Sequence, residues 1–245
     1  MSPLLEVSDL LAIYVKPTQA PIKDFVKWFP LFPSEKLAEL CGFLIGDGHV
    51  QGALRWRIDF TSNNFKTLDY VNSLFFDLFG VKGEVRKCTT NRYGTYNLGI
   101  NCKPLARTLF LCGVPTGAKV EKQFLVPSWI LIDKLFFRSF IRAYFSSEAT
   151  VENRGRIWFE QWKLESNIFS GINFVNQIKE GLLLHFSIVA SGPYFPNQKN
   201  FTKKGITRGI KLKIMQKDSF RKYVLLVGFC DEVKQKRAER VLCVP

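Results

Sequence analysis

Gly42-Phe43-Leu44-Ile45-Gly46-Asp47-Gly48 and Ala143-Tyr144-Phe145-Ser146-Ser147-Glu148-Ala149 follow one pattern: small, three bulky or mixed residues, small, acid, small. The two acids stand 101 positions apart. Small residues four apart share one face of a helix, where the missing side chains let a second helix approach almost backbone to backbone. Helices packed along Gly42/Gly46 and Ala143/Ser147 would bring Asp47 and Glu148 together at the ends of their contact. Paired acids in that setting suit a hard divalent cation, which takes carboxylate, carbonyl and water oxygens.

The duplication extends beyond the acids. Tyr96-Asn97-Leu98-Gly99-Ile100 alternates as a half-buried strand, and Lys103 then opens a helix through Leu105 and Leu109 that stops at Gly113. Ile210-Lys211-Leu212-Lys213-Ile214 alternates likewise, and Lys217 leads through Phe220, Val224 and Val227 to Gly228. Lys119 and Lys234 each follow the closing glycine by six residues. After the first acid, Ala53 to Thr61 predicts an amphipathic strand with Leu54, Trp56, Ile58 and Phe60 on its inner parity. Its counterpart, Arg154 to Lys163, alternates less cleanly. Helices are predicted over Asn64 to Phe79 and Asn167 to His185. Each unit thus reads helix, strands, helix, strands, helix. The join falls at Val120 to Trp129, around Pro127 and Ser128, with no long flexible linker. The expected organisation is an extension over 1–33 packing on the first unit, then repeats over 34–126 and 127–245.

Composition narrows the partners. With 47% hydrophobic residues the chain has material for real cores, and 35 Lys and Arg against 21 Asp and Glu leave a net charge of +14. Such a surplus points to a polyanion. No stretch approaches the roughly 20 apolar residues of a membrane span. The N-terminus carries Glu6 and Asp9 with no basic cluster, unlike a secretory signal. Six cysteines without a CxxC pair and only two histidines argue against a zinc finger and for reduced thiols inside a cell.

With these pieces assembled, the chain resembles the LAGLIDADG homing endonucleases in their single-chain, two-motif form. Leu40 to Gly48 and Ile141 to Ala149 carry the resemblance, which spans roughly Ser34 to Val241. It implies an α+β fold of two pseudo-symmetric αββαββα units, with Gly42, Gly46, Ala143 and Ser147 at a central two-helix interface and two saddle-shaped antiparallel sheets on a DNA major groove. It further implies Mg²⁺ held by Asp47 and Glu148 with the carbonyls of Gly46 and Ser147. Mn²⁺ is expected to substitute, and Ca²⁺ to support binding without cleavage. Lys119 and Lys234 resemble the family's basic residues beside the cleavage centre, with Lys122 and Lys236 as competitors. Further polar candidates are Asp59, Ser62, Glu160 and Gln161. Ala149 replaces the glycine after the first acid, and alanine adopts a positive φ less cheaply; slower nicking of one strand follows as an expectation.

The DNA-facing candidates are Arg55, Arg57, Asp59, Thr61, Asn97, Asn101, Arg154, Arg156, Lys211 and Lys213 on strand faces, with Lys87 and Arg92 on phosphates. Trp158 and Trp162 either face the core, the preferred reading, or touch thymine methyls. The function expected is that of a monomeric, site-specific double-strand DNA endonuclease of the intron-homing type, leaving short 3′ overhangs at a long, imperfectly palindromic target, located with DNA inside a cell. The rivals are an intron RNA-splicing maturase and a non-catalytic DNA-binding protein on the same scaffold.

Overall fold

The computed structural model describes residues 2–14, 22–53, 55–88 and 94–243. The chain divides into two compact units, Met1–Gly117 and Ala118–Pro245, so residues 118–126 belong with the second.

In the first unit, α1 (Val7–Ala12) and α2 (Ile22–Phe25) precede α3 (Glu35–Ile45), β1 (Gly48–Gln51), β2 (Arg57–Ser62), α4 (Phe65–Phe79), β3 (Glu84–Lys87), β4 (Tyr96–Ile100) and α5 (Lys103–Leu111). The four strands form an antiparallel sheet in the order β1-β2-β4-β3. Ser34 starts α3 by accepting from the Leu37 amide at 3.2 Å, and Asn64 starts α4 by accepting from that of Lys66 at 3.0 Å. Gly80, at φ 68°, closes α4 in the left-handed conformation. Ile58, Phe60, Leu98 and Ile100 line the inner face of the sheet and are buried with Leu68, Val71 and Phe75 of α4. The N-terminal segment packs here as well: Trp28 donates from Nε1 to the Phe79 carbonyl at 2.8 Å, and the Arg107 guanidinium lies 4.0 Å from the Tyr14 ring centroid.

The second unit comprises α6 (Ser128–Leu131), α7 (Lys134–Glu148), β5 (Thr150–Glu152), β6 (Arg156–Leu164), α8 (Ile168–Phe186), β7 (Ser191–Tyr194), β8 (Lys199–Thr202), β9 (Gly205–Ile214), α9 (Lys217–Leu226) and α10 (Glu232–Leu242). Its antiparallel sheet runs β5-β6-β9-β7, with β8 also paired to β9. Asp133 caps α7, accepting from the amides of Leu135 and Phe136. Tyr144 of α7 meets Phe159 and Phe174 edge-on, with ring centroids 5.3 and 5.4 Å apart, at the centre of the core.

Both units therefore share the order helix, two strands, helix, strands, helix, to which the second adds β8 and α10. The N-terminal half of the expected strand over 53–61 is a correction: the strand begins at Arg57, and Gly52, Ala53, Arg55 and Trp56 lie in the loop from β1. Trp56 adopts φ 45°, and its ring lies 4.7 Å from the Arg107 guanidinium. Leu54 falls outside the described residues. The core placement of Trp158 and Trp162 is a second correction, because Ile157, Phe159 and Lys163 take the inner parity of β6. Trp158 instead lies half-exposed beside Lys213 of β9 and donates to Glu152 at 2.7 Å.

Candidate functional site

In the first unit, α3 is buried from Leu37 through Ile45 and ends at Gly46, whose amide donates to the Gly42 carbonyl at 3.0 Å. Gly42 and Gly46 are buried, Asp47 is exposed, and Gly48 enters β1 at once. A side chain at Gly48 would place its Cβ 2.6 Å from the Leu44 Cα. The glycine after the acid is therefore a matter of space: the strand leaves across the last turn of the helix that brought it. In the second unit, Glu148 is the last residue of α7, half-buried, and Ala149 is extended at φ −85°, ψ 149°. Neither Gly48 nor Ala149 has a positive φ. The conformational penalty expected of Ala149 does not arise.

Lys234, on the first turn of α10, reaches the end of α7. Its ammonium donates to the carbonyls of Ser146 and, at 3.4 and 3.2 Å, of Phe145 and Ser147. The last carbonyls of a helix carry partial negative charge, so a cation is favoured there, although that of Phe145 also accepts from the Ala149 amide at 3.0 Å. Ser146 locks the junction: its hydroxyl donates to the Arg142 carbonyl and accepts from the amides of Cys230 and Asp231 at 2.7 and 3.3 Å. Asp231 in turn caps α10 by accepting from the Lys234 amide at 2.8 Å. The second unit thus places a carboxylate, three carbonyls and an ammonium at one helix end. Lys119 lies on a turn at the start of the same unit, where its carbonyl accepts from the buried Lys163.

The donor chemistry suits a hard cation. Among the described residues no group of three or more His, Cys, Asp and Glu could hold a metal. Mg²⁺ commonly takes only one or two protein carboxylates and completes its octahedron with substrate phosphate and water, which one acid per unit accommodates.

On the first sheet the outer parity carries His49, Gln51, Arg57, Asp59, Thr61, Asn97 and Arg86. Asp59 is held from two sides, by Arg57 at 2.9 Å and by Gln51 Nε2 at 2.8 Å. Asn97 donates to Thr61 Oγ1 at 3.2 Å. The Arg57 guanidinium lies across Gly99, where a Cβ would come within 2.7 Å of it. Lys87 sits at the exposed end of β3 opposite Tyr96, off this row, and Arg86 takes the outward place. Arg55 is exposed in the β1–β2 loop and Asn101 is exposed just after β4. Arg92 lies outside the described residues.

On the second sheet Arg156, Trp158, Glu160 and Trp162 of β6 and Lys211 and Lys213 of β9 face outward. Lys211 pairs with Glu160 at 3.1 Å and sits 4.0 Å from the Trp158 ring centroid; Lys213 lies 5.3 Å from that of Tyr194. Glu160 folds over Gly209, where a Cβ would collide with its carboxylate. Arg154 belongs to the exposed β5–β6 turn. These faces present cations held in set directions by carboxylates and rings, an arrangement suited to aiming donors at an anionic or acceptor-rich surface.

Sequence reasoning missed Arg86, Tyr194, Ser146 and Lys163. Arg86 was discoverable from the alternation Glu84-Val85-Arg86. The others depend on contacts between segments remote in sequence.

No protein-family model matches the chain. Among curated proteins it is 25% identical over 219 residues to a component of the A-type ATP synthase of Pyrococcus horikoshii, covering 87% of this chain and 20% of that protein. It is 27% identical over 215 residues to the glutamine–fructose-6-phosphate aminotransferase of Methanocaldococcus jannaschii, covering 87% and 18%. The tRNA-splicing ligase RtcB of Methanopyrus kandleri matches at 26% identity, covering 79% and 20%. The chain spans about a fifth of the length of these relatives. Among solved structures it is similar to the homing endonuclease I-WcaI bound to its DNA recognition sequence, with TM-score 0.52, 12% identity, and 92% of this chain and 96% of that chain covered. The N-terminal LAGLIDADG domain of WhiA gives TM-score 0.51 at 17% identity, covering 90% and 93%. I-DmoI in complex with DNA and Mn gives 0.50 at 14%, covering 79% and 96%. Two helix-led units, each with an antiparallel sheet and a motif helix ending at an acid, together with these likenesses, give the chain the LAGLIDADG fold.

Proposed function

We propose that this protein is a site-specific, Mg²⁺-dependent double-strand DNA endonuclease acting as a monomer. The observation that carries the reading is the repeated placement of one acid at the end of each motif helix, Asp47 after α3 and Glu148 closing α7, each leading directly into a sheet with cations on its outer face. Asp47 and Glu148 would each hold one Mg²⁺, which would supply an activated water and charge neutralisation at the departing 3′ oxygen. Lys234 and Lys119 supply positive charge to the phosphorane. Arg57, Asn97, Arg156, Lys211 and Lys213 contact base edges, whereas Arg55, Lys87, Arg92 and Arg154 contact phosphates. Thr61 and Asn101 add polar contacts to the DNA, and Asp59 steers Arg57.

The curated relatives support a self-contained module. An ATP synthase component, an aminotransferase and an RNA ligase have no named activity in common, yet each matches this chain over most of its length. A mobile coding element that carries its own nuclease accounts for that distribution.

The test uses the full chain with a randomised duplex library. Duplexes retained in Ca²⁺ are sequenced and then offered Mg²⁺. Double-strand cutting that disappears in Asp47→Asn and in Glu148→Gln, with binding in Ca²⁺ intact, supports the reading. Normal cutting by either variant overturns the site; selective binding without cutting favours a DNA-binding protein, and RNA-dependent splicing without cutting a maturase.

A further inference from the structure

Residues 118–126 form a strap across the second unit, held by side chains as well as by one strand contact. The Leu164 amide donates to the Val120 carbonyl at 3.1 Å. Asn167 Nδ2 donates to the Glu121 carbonyl at 2.6 Å, the Ser170 hydroxyl bonds the amide and carbonyl of Phe124, and Gln177 accepts from the Val126 amide at 2.9 Å. The innermost fastener is Lys163, on the inner parity of β6 and without accessible surface. Its Nζ donates to the carbonyls of Lys119 at 2.8 Å and Lys122 at 2.6 Å, and lies 3.7 Å from the Phe124 ring centroid.

The fold makes room for this lysine. Gly171 of α8 faces its stem, and a Cβ there would come within 2.7 Å of Lys163 Cγ and 2.4 Å of Ile210 Cδ1. A buried lysine is costly unless its head group is satisfied. Burial, with the charge of Lys119 added, pulls its pKa down to about 7. A methionine of similar length would fill the space without that cost, so the amine has a task beyond filling volume.

We propose that Lys163 is a positioning residue: by bridging the main-chain carbonyls of Lys119 and Lys122 it fixes the turn from which the Lys119 side chain departs. The inference rests on the nuclease reading, in which Lys119 acts on the cleaved phosphate. The turn is short, with the Glu121 amide bonded to Ala118 at 2.9 Å and the Lys122 amide to Lys119 at 3.4 Å. Holding two of its carbonyls inward sets the tilt of the turn, and with it the direction in which the Lys119 side chain leaves its first residue.

Lys163→Met in the full chain tests this by two readouts. Hydrogen–deuterium exchange at the amides of Glu121, Lys122 and Leu164 is expected to rise about 10-fold or more while the β6–β9 ladder stays protected. Single-turnover cutting of a duplex selected in Ca²⁺ is expected to slow about 10- to 100-fold, from misplacement of Lys119, with binding in Ca²⁺ unchanged. The decisive comparison is Lys163→Met in a Lys119→Ala background, where it should slow cutting no further. Unchanged exchange overturns the clamp, and full additivity with Lys119→Ala overturns its action through Lys119. If the unaltered chain cuts no selected duplex, the nuclease reading fails and the catalytic purpose of Lys163 with it, while exchange still reports on the clamp. Should Lys163→Met not fold, Lys163→Gln, which keeps N–H donors on a shorter stem, carries the same readouts.

Discussion

Replacing Gly48 by alanine tests the link between the motif and the strand that leaves it. An added Cβ would lie 2.6 Å from Leu44 Cα, 2.7 Å from its Cδ2 and 2.9 Å from its carbonyl oxygen. Carbon atoms pack at about 3.5 Å or more, so the shortfall is about 0.9 Å, and two of the three neighbours are main chain. Leu44 is 1% exposed and held in α3, while Gly48 is paired with Phe60 across β1 and β2, so neither side yields freely. Overpacking of this kind costs about 1–3 kcal/mol, and removing glycine's freedom from the unfolded chain returns about 0.4–1 kcal/mol. A net loss of about 1.5 kcal/mol is expected in urea unfolding, with m unchanged. Whatever relief the backbone finds must pass through Asp47, one residue away, so cutting should fall by more than stability explains. Ala149→Gly is the matching control, because Ala149 is extended and 3% exposed; loss of one buried methyl and added backbone freedom should cost about 1–2 kcal/mol without a steric cause. A Gly48→Ala chain more stable than the unaltered one, the outcome expected from the glycine substitution alone, would refute the close-approach argument.

Lys234→Met removes the ammonium from the three carbonyls that end α7 and should destabilise the chain by about 1–3 kcal/mol in urea; a loss below about 0.5 kcal/mol would show that the helix end does not depend on it. For Lys163, whose folded pKa is lowered to about 7, the unfolded chain holds the extra proton between about pH 7 and 10, so this residue makes stability rise with pH across that window and adds no slope below it. The slope is at most about 1.4 kcal/mol per pH unit within that window, and the carbonyls and ring, by favouring the ammonium, move only the window's lower edge upward. Comparing Lys163→Met with the unaltered chain from about pH 7 to 9 isolates it, and identical slopes would refute the assignment.

Much of this molecule was legible in local pattern. The strand over Tyr96–Ile100 and the helix openings at Lys103 and Lys217 lie where alternation and apolar spacing put them. Asn64 caps α4 as its residue type favours. Lys211 and Lys213 share the outward parity of β9. The β6 tryptophans were misread because alternation reveals two faces without saying which is buried. Hydrophobicity favoured the tryptophan face, yet Trp158 finds an acceptor in Glu152 and a cation in Lys211, while the opposite face lies under α8 and takes Ile157 and Phe159.

By itself the sequence determined that two helix-led units each end a small-residue helix at an acid, because helix period, caps and strand alternation depend only on neighbours a few residues apart. Tertiary structure alone decided which side of β6 is buried, that Lys234 closes α7, and that Lys163 disappears beneath the strap. The two lysine contacts join segments roughly 40 to 90 residues apart. Local pattern carries no record of such partners, since burial of a charged group is decided by the acceptors the folded chain brings to it.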